Sequence, residues 1–303
     1  MRRIATCLAF APLVLGAPLA RGQERDFSKV EVTATKLAEG VHLLVGAGGN
    51  IGVSSGKDGV FLVDDQYAPL TPKIKAAVAA ISDKPIRFIL NTHWHGDHTG
   101  GNENLGGTGS LIVAHENVRR RMSVDQFIAV FQSKIPASPE VALPVVTYSE
   151  SVTFHLNGEE IRCFHVPPAH TDGDSIVHFT KADVVHMGDL YFNGGYPFID
   201  LDSGGSLAGY IGAADLVLGM AKDGTQIIPG HGPMAKKADL QAWRGMLVAL
   251  RDRVGAMVNA GKTLAEVQAA KPMADYDEKL GKGFIKPDQV LSFAYASLGG
   301  TKK

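Results

Sequence analysis

The sequence predicts an α/β protein with layered architecture, because short strand patterns and helical patterns alternate along the chain. Three apolar segments, VHLLVG, NIGVSS and GVFLVDD, are separated by glycine-rich turns and are typical of short β-strands. The next segment, LTPKIKAAVAAIS, has the spacing of a helix, and IRFILNT after Pro85 has that of another strand. This order of strand, helix and strand indicates helices packed on a sheet.

The rest of the chain continues this alternation. SLIVAH and ENVRRRM predict a strand followed by a helix, and residues 145–192 predict a series of strands with turns between them. Residues 206–221 and 235–260 have the patterns of two helices, and the residues after 260 predict a helical extension. Because no linker or composition break divides these parts, we expect a single domain.

Residues 123–144 depart from the regular pattern, since they contain three prolines and several large apolar side chains. We expect a partly helical lid or insertion here. Its apolar group, Phe127, Ile128, Val130 and Phe131, is expected to pack a helix onto the core, with coverage of a cleft as the alternative.

The first 22 residues have the three-part pattern of a secretory signal peptide: a short basic start, an apolar run and a small-x-small cleavage site. Pro12 and Pro18 within the apolar run argue against a buried helix. We therefore predict a signal peptide at residues 1–22, a single domain at residues 23–303, and a periplasmic or secreted location.

Removal of residues 1–22 takes away three arginines and leaves 27 basic against 31 acidic side chains, so the formal net charge moves from −1 to −4. A mildly acidic chain without a basic stripe does not suit a nucleic-acid partner. No later segment reaches the roughly 18 apolar residues of a membrane span. Only Cys163 remains, so no intrachain disulfide is expected. The expected partner is a small-molecule substrate, and the sequence does not predict an oligomeric state.

The segment NTHWHGDHTGGN, residues 91–102, carries the strongest chemical signal. His93 and His95 are two apart in an extended segment, so their imidazoles can point toward one ion. Gly96 then allows a sharp turn that aims Asp97 and His98 elsewhere. Four metal-type ligands, of which two share a direction, predict a site for two adjacent ions.

Further ligands are expected downstream, at the ends of strands. His170 follows a strand in VPPAHTDGDS, Asp189 follows another in VVHMGDLYF, and His231 follows a third in QIIPGHGP. His115 is expected to begin or cap a helix. The histidines within strand patterns are expected to be structural: His42, His155, His165, His178 and His186.

These motifs, in this order, resemble the signature of the metallo-β-lactamase fold superfamily: HxHxDH, a histidine in a GHT-like loop, a GD aspartate and PGHG. The upstream FLVDD is similar to the superfamily's first motif, with Asp64 in the matching position. The resemblance runs from Asp64 to His231. It implies a four-layer αβ/βα sandwich with a metal site at the edge of the two sheets.

The resemblance also implies the role of each ligand. The first metal would be held by His93, His95 and His170, the second by Asp97, His98 and His231, and Asp189 would bridge them. Asp64 would be a buried support of the ligand loop. Two zinc ions are expected from the ligand types, with iron and manganese left open.

The expected chemistry is attack of a metal-bridging hydroxide on a carbonyl carbon, with Asp97 orienting the nucleophile as the catalytic residue. Hydrolysis of β-lactams in the periplasm is the first prediction. However, the best-known zinc β-lactamases have cysteine where this chain has Asp189, and a lysine soon after it that DLYFNGGYPF lacks.

The alternative is therefore a thioester, lactone or other ester hydrolase, similar to the glyoxalase and lactonase branches. A third possibility is a periplasmic metal-binding accessory protein without turnover. Asn193 and Tyr196 are candidates for hydrogen bonding to the substrate, although a turn residue and a packing tyrosine explain them equally well.

Overall fold

A computed structural model describes residues 26–300, and the predicted signal peptide lies outside this range. In the described residues the strands are β1 Thr33–Ala38, β2 Val41–Val45, β3 Ile51–Gly56, β4 Gly59–Val63, β5 Ile86–Asn91, β6 Leu111–His115, β7 Gln126–Ile128, β8 Ser133–Ile135, β9 Val146–Tyr148, β10 Ser151–Leu156, β11 Glu159–His165, β12 Ser175–Phe179, β13 Val184–His186, β14 Gln226–Ile228 and β15 Ala235–Lys236. The helices are α1 Thr71–Ala79, α2 Gly96–Thr99, α3 Asn102–Gly106, α4 Glu116–Met122, α5 Leu207–Met220, α6 Lys237–Asn259, α7 Leu264–Ala270, α8 Ala274–Leu280 and α9 Pro287–Ser297.

The strands form two main sheets and one hairpin. The first sheet has the order β1-β2-β3-β4-β5-β6-β9, antiparallel from β1 to β4 and parallel from β4 onward. The second has the order β10-β11-β12-β13-β14-β15, with one parallel pair, β13 and β14. The hairpin consists of β7 and β8.

The first sheet is buried on both faces at its centre, where β4 is an uninterrupted apolar run with every residue buried. In β4, Val60 and Leu62 pack against Ile74 of α1, whereas Phe61 and Val63 join the core between the two sheets. Successive side chains of a strand point to opposite faces, so the run GVFLV supplies two cores at once.

The second sheet likewise lies between two hydrophobic cores, one shared with the first sheet and one shared with helices. Ile228 of β14 faces the core between the sheets, and Ile227 faces the third core, which includes Tyr210 of α5 and Leu247 of α6. The layers are therefore helix, sheet, sheet, helix. The predicted four-layer αβ/βα sandwich is confirmed.

The two sheets are joined at the edge where β5 and β14 end. Asn50, just before β3, donates from its backbone to the Gly230 carbonyl at 2.8 Å. Its side-chain amide donates to the carbonyls of Pro229 and Gly232, both at 2.9 Å. These bonds hold the loop after β14 against the first sheet, beside the segment that follows β5.

Most predicted elements are confirmed, including the long helix α6 and the helical extension, which contains α7, α8 and α9. Two features differ from expectation. Strand β1, whose side chains are mostly exposed, lacks the apolar pattern of a strand and was not predicted. Residues 123–144 form the hairpin β7–β8 and two short 3-10 helices, Ala129–Phe131 and Glu140–Ala142, so the expected helical part is limited to these turns and the two strands were not predicted.

None of the helices in residues 26–300 is both long enough and apolar enough to cross a membrane.

Candidate metal centre

The structure brings all seven predicted ligands together at this edge of the two sheets. His95 ends the extended segment after β5, and helix α2, which begins at Gly96, carries Asp97 and His98. The ligand atoms form two groups, each within 4.8 Å: a first ligand group of His93, His95, His170 and Asp189, and a second of Asp97, His98 and His231.

Asp189 lies between the two ligand groups and presents one carboxylate oxygen to each. Its Oδ2 is 3.5 Å from His170 Nε2 and 3.9 Å from His93 Nε2. Its Oδ1 is 3.0 Å from His98 Nε2 and 3.3 Å from His231 Nε2. This is the placement that a bridging carboxylate requires.

Two buried atoms in the described structure have no hydrogen-bond partner of suitable geometry although they face this centre: His93 Nε2 and Asp189 Oδ1. Buried polar atoms are almost always satisfied in proteins, and a role in binding an ion is one of the standard reasons for an exception. The ligand groups consist of imidazole and carboxylate, which suit zinc. The residues present therefore fit a metal centre.

The spacing of the second ligand group agrees with this interpretation. The Nε2 atoms of His98 and His231 are 3.4 Å apart, and Asp97 Oδ2 is 3.3 Å from His231 Nε2. Ligands about 2.1 Å from a tetrahedral zinc lie roughly 3.4 Å from each other. One ion can thus be accommodated with little movement.

Asp64 supports one ligand of each group, His98 directly and His93 through the Thr92 hydroxyl. Its Oδ2 accepts from His98 Nδ1 at 2.8 Å and from the Thr92 hydroxyl at 2.8 Å, while its Oδ1 accepts from the Thr92 backbone at 2.7 Å. Since the hydroxyl donates to Asp64, it accepts from His93 Nδ1, 3.0 Å away. Asp64 is fully buried. It therefore has the supporting position that the resemblance implied.

The remaining ring nitrogens of the first ligand group are also engaged. His95 Nε2 donates to Asp200 Oδ2 at 2.9 Å, and His170 Nδ1 donates to the Phe198 carbonyl at 2.7 Å. Metal-binding histidines usually donate their other nitrogen in this way, which fixes tautomer and ring orientation. Asp200 was not among the predicted site residues, because it lies 105 residues from His95 in a segment without a motif.

Two glycines allow the backbone to approach the ligands closely. A Cβ at Gly49 would lie 2.1 Å from Cε1 of His98, and one at Gly230 would lie 2.1 Å from Oδ1 of Asp189. Both distances are far below van der Waals contact. The loops before β3 and after β14 can therefore enclose the centre only with glycine at these positions.

Electrostatics separate the histidines of this centre into two kinds. Burial lowers the pKa of His93 well below its usual value and that of His170 to about 4, so both are neutral and ready to bind a cation. Burial also acts on His98 and His231. There the carboxylates of Asp189 and Asp97 outweigh it and raise the pKa of both, that of His231 to about 9.

The centre opens into a cavity of about 580 Å³. Its lining includes both candidate substrate-binding residues. The Asn193 amide donates to the Pro233 carbonyl at 2.9 Å, and the Tyr196 hydroxyl donates to Asp277 Oδ1 at 2.7 Å. Each polar group thus has an internal partner, and a role in substrate binding stays a prediction for both.

The hairpin β7–β8 forms another wall of this cavity, through Ile128, Phe131, Ser133 and Ile135. Ile128 also packs in the core, as expected, but a strand carries it instead of a helix. Phe131 lines the cavity, which agrees with the alternative of coverage of the cleft.

The fold and the ligand groups define a class of protein, an αβ/βα sandwich with two adjoining metal-ligand groups at the sheet edge. Residues 45–235 match the sequence model of the metallo-beta-lactamase superfamily, and the chain belongs to that superfamily.

Two curated relatives are each 25% identical to the chain. The alpha subunit of 2,4-dinitroanisole O-demethylase from Nocardioides sp. aligns over 214 residues, which is 67% of this chain and 60% of the relative. A hydroxyacylglutathione hydrolase from Polaromonas sp. aligns over 199 residues, which is 61% and 66%. The chain thus spans somewhat less than two thirds of these relatives.

Solved structures share the fold. The stereoselective inverting sec-alkylsulfatase Pisa1 from Pseudomonas sp. superposes with a TM-score of 0.69 at 16% identity, over 89% of this chain and 50% of that one. A metallo-beta-lactamase from Pontibacter korlensis superposes with a TM-score of 0.58 at 19% identity, over 72% and 99%.

Proposed function

We propose that the protein is a metal-dependent hydrolase that cleaves an acyl bond, with a thioester, ester or lactone as the substrate class. The observation that carries the proposal is the convergence of seven ligands on one cavity, with Asp189 presenting one oxygen to each ligand group. The proposed metal is zinc, two ions per chain, because histidine and carboxylate ligands suit it.

His93, His95 and His170 would hold one ion and Asp97, His98 and His231 the other, with Asp189 shared between them. When bound at such a pair of ligand groups, metal ions supply Lewis-acid activation of a carbonyl and a hydroxide nucleophile near neutral pH. The contributions of the chain itself are ligand orientation, proton handling and exclusion of water.

We infer that Asp97 orients the nucleophile. It exposes 22% of its side chain and lines the cavity, whereas Asp189 exposes only 5%. Burial raises the pKa of Asp97, but His98 and His231 outweigh it and lower the pKa to about 2. The group is therefore an ionised carboxylate at neutral pH, able to accept a hydrogen bond from the attacking water molecule.

Two observations favour a thioester, ester or lactone over the β-lactam that the sequence predicted first. Within residues 26–300, the side chains that line the cavity include no lysine or arginine that could bind the carboxylate of a β-lactam. Curated relatives include the hydroxyacylglutathione hydrolase above and an atrochrysone carboxyl ACP thioesterase from Aspergillus chevalieri, 25% identical over 219 residues.

The signal-peptide pattern of residues 1–22 supports action in the periplasm or outside the cell.

The test is a substrate panel of a thioester, a homoserine lactone, an aryl ester and a chromogenic cephalosporin, each with and without a chelator. We expect chelator-sensitive hydrolysis of at least one of the first three. Asp97→Asn and His95→Ala should each remove nearly all of it. Full activity in either variant would contradict the proposal, and metal binding without any turnover would favour the accessory-protein alternative.

A further inference from the structure

The cavity above the metal centre has aromatic and aliphatic walls. Phe131, at the tip of the hairpin β7–β8, lies against Phe198 with ring centroids 5.1 Å apart and against Phe284 at 5.2 Å. Phe198 in turn stacks on the ring of His95 at 5.7 Å. A continuous series of rings therefore leads from the cavity mouth to a predicted metal ligand.

The rim of the cavity is exposed despite its apolar character. Phe284 is 65% exposed and Phe131 is 36% exposed. Large apolar side chains grouped at the mouth of a cleft are typical of a surface that binds an apolar ligand.

Strand β8 of the hairpin turns its basic side chain away from the cavity. Ser133 and Ile135 line the cavity, and Lys134 between them points away because side chains alternate along a strand. Phe127 pairs with Lys134 across the hairpin and shares its outer face. The one basic residue of β8 is thus excluded from the cavity.

The charged side chains that line the cavity within the described residues are two carboxylates and two histidines of the metal centre: Asp97, Asp189, His95 and His231. A substrate carboxylate held between the aromatic walls would lose its hydration without gaining a cationic partner there. Burial of an unpaired charge is strongly unfavourable. The walls therefore discriminate against an anionic group at the end of the substrate remote from the metal centre.

The hairpin is also fixed relative to the metal centre. The backbone N–H of Ala129 donates to Asp202 Oδ2 at 2.7 Å. Asp202 lies two residues from Asp200, which holds His95. The aromatic wall and one ligand of the first group are thus positioned by the same short segment, residues 200–202.

From these observations we propose that the substrate is uncharged and apolar: a neutral ester, thioester or lactone whose acyl chain or ring packs against Phe131, Phe198 and Phe284. This inference rests on the proposed hydrolase function and specifies its substrate class.

The test compares two esters of equal acyl length, p-nitrophenyl valerate and mono-p-nitrophenyl glutarate, which differ in a terminal carboxylate. With zinc-loaded protein we expect kcat/KM for valerate to exceed that for glutarate by about 10²-fold, the order expected for an unpaired buried polar group. Equal rates, or faster hydrolysis of glutarate, would overturn the inference while leaving the hydrolase proposal intact.

Variants test whether the aromatic wall causes the preference for the uncharged ester. Phe131→Ala should lower kcat/KM for valerate about tenfold and that for p-nitrophenyl acetate much less, because only the longer chain reaches the ring. Phe127→Ala, on the outer face of the same hairpin, is the matched control and should change neither value. Ile135→Lys should raise kcat/KM for glutarate by supplying the missing cation. Equal effects of Phe131→Ala and Phe127→Ala would contradict the assignment.

Binding of the neutral fluorescent probe N-phenyl-1-naphthylamine supplies a readout that does not depend on turnover. The zinc-loaded protein should bind the probe, Phe131→Ala should weaken binding about tenfold, and Phe127→Ala should not. If no thioester, ester or lactone is hydrolysed, the hydrolase proposal fails, and the probe still decides whether the wall binds apolar molecules. Absence of probe binding to the wild type would overturn the inference.

Discussion

Gly230→Ala offers a sharp test of how closely the loop after β14 encloses the metal centre. A Cβ at this position would lie 2.1 Å from Asp189 Oδ1 and 2.6 Å from the carbonyl carbon and oxygen of Gly188. Contact at an ordinary distance of about 3.4 Å requires Asp189 or the loop to move by roughly 1.3 Å.

A displacement of about 1 Å at a catalytic constellation lowers the rate by about 10²-fold, or about 2.7 kcal/mol of transition-state stabilisation. Because Asp189 faces both ligand groups, we also expect lower metal occupancy. The assay is kcat/KM on the ester or thioester that the substrate panel identifies, together with metal content measured by mass spectrometry.

Gly224→Ala is the matched control, since nothing lies within 4 Å of a Cβ at Gly224 and its backbone is not left-handed. Both variants should keep the wild-type far-UV circular dichroism. Wild-type kcat/KM and full metal content in Gly230→Ala would refute the argument that glycine is required beside Asp189.

Two further predictions concern the histidines. Asp200→Asn should weaken metal binding by the first ligand group about 10- to 100-fold, because the amide oxygen accepts a weaker hydrogen bond from His95 than the carboxylate does. Competition with a chromophoric chelator measures the metal affinity. An unchanged affinity would contradict a positioning role for Asp200. Zinc binding to the metal-free protein at pH 7 should release at least one proton, because the raised pKa values of His98 and His231, the latter about 9, keep them protonated until a metal displaces the proton. Release should decline above pH 9. Calorimetry in buffers of different ionisation enthalpy counts these protons, and a value of zero at pH 7 would be inconsistent with the raised pKa values.

The metal ligands could be predicted from the sequence because each follows a recognisable strand and four of them fall within six residues. The layered fold followed from the same strand and helix patterns. In β4 and β14 the structure shows why these runs are apolar at adjacent positions, since both faces of each strand are buried.

The hairpin β7–β8 could not be recognised in the same way. Its segment QFIAVFQSKI is a short apolar run, and such runs do not distinguish a strand from a helix by periodicity. The left-handed backbone of Gln132, which closes the hairpin, carries no glycine or asparagine to mark the turn. Asp200 was missed for a different reason, since its contact with His95 is set by tertiary packing and has no local signal.

We predict that one chain binds two metal ions through seven ligands that share Asp189. The most direct measurement is the metal content of purified protein after incubation with zinc and removal of excess, for the wild type and for Asp189→Ala. We predict two ions per chain in the wild type and no more than one in the variant. A wild-type chain that binds one ion or none, or a variant that still binds two, would contradict the claim.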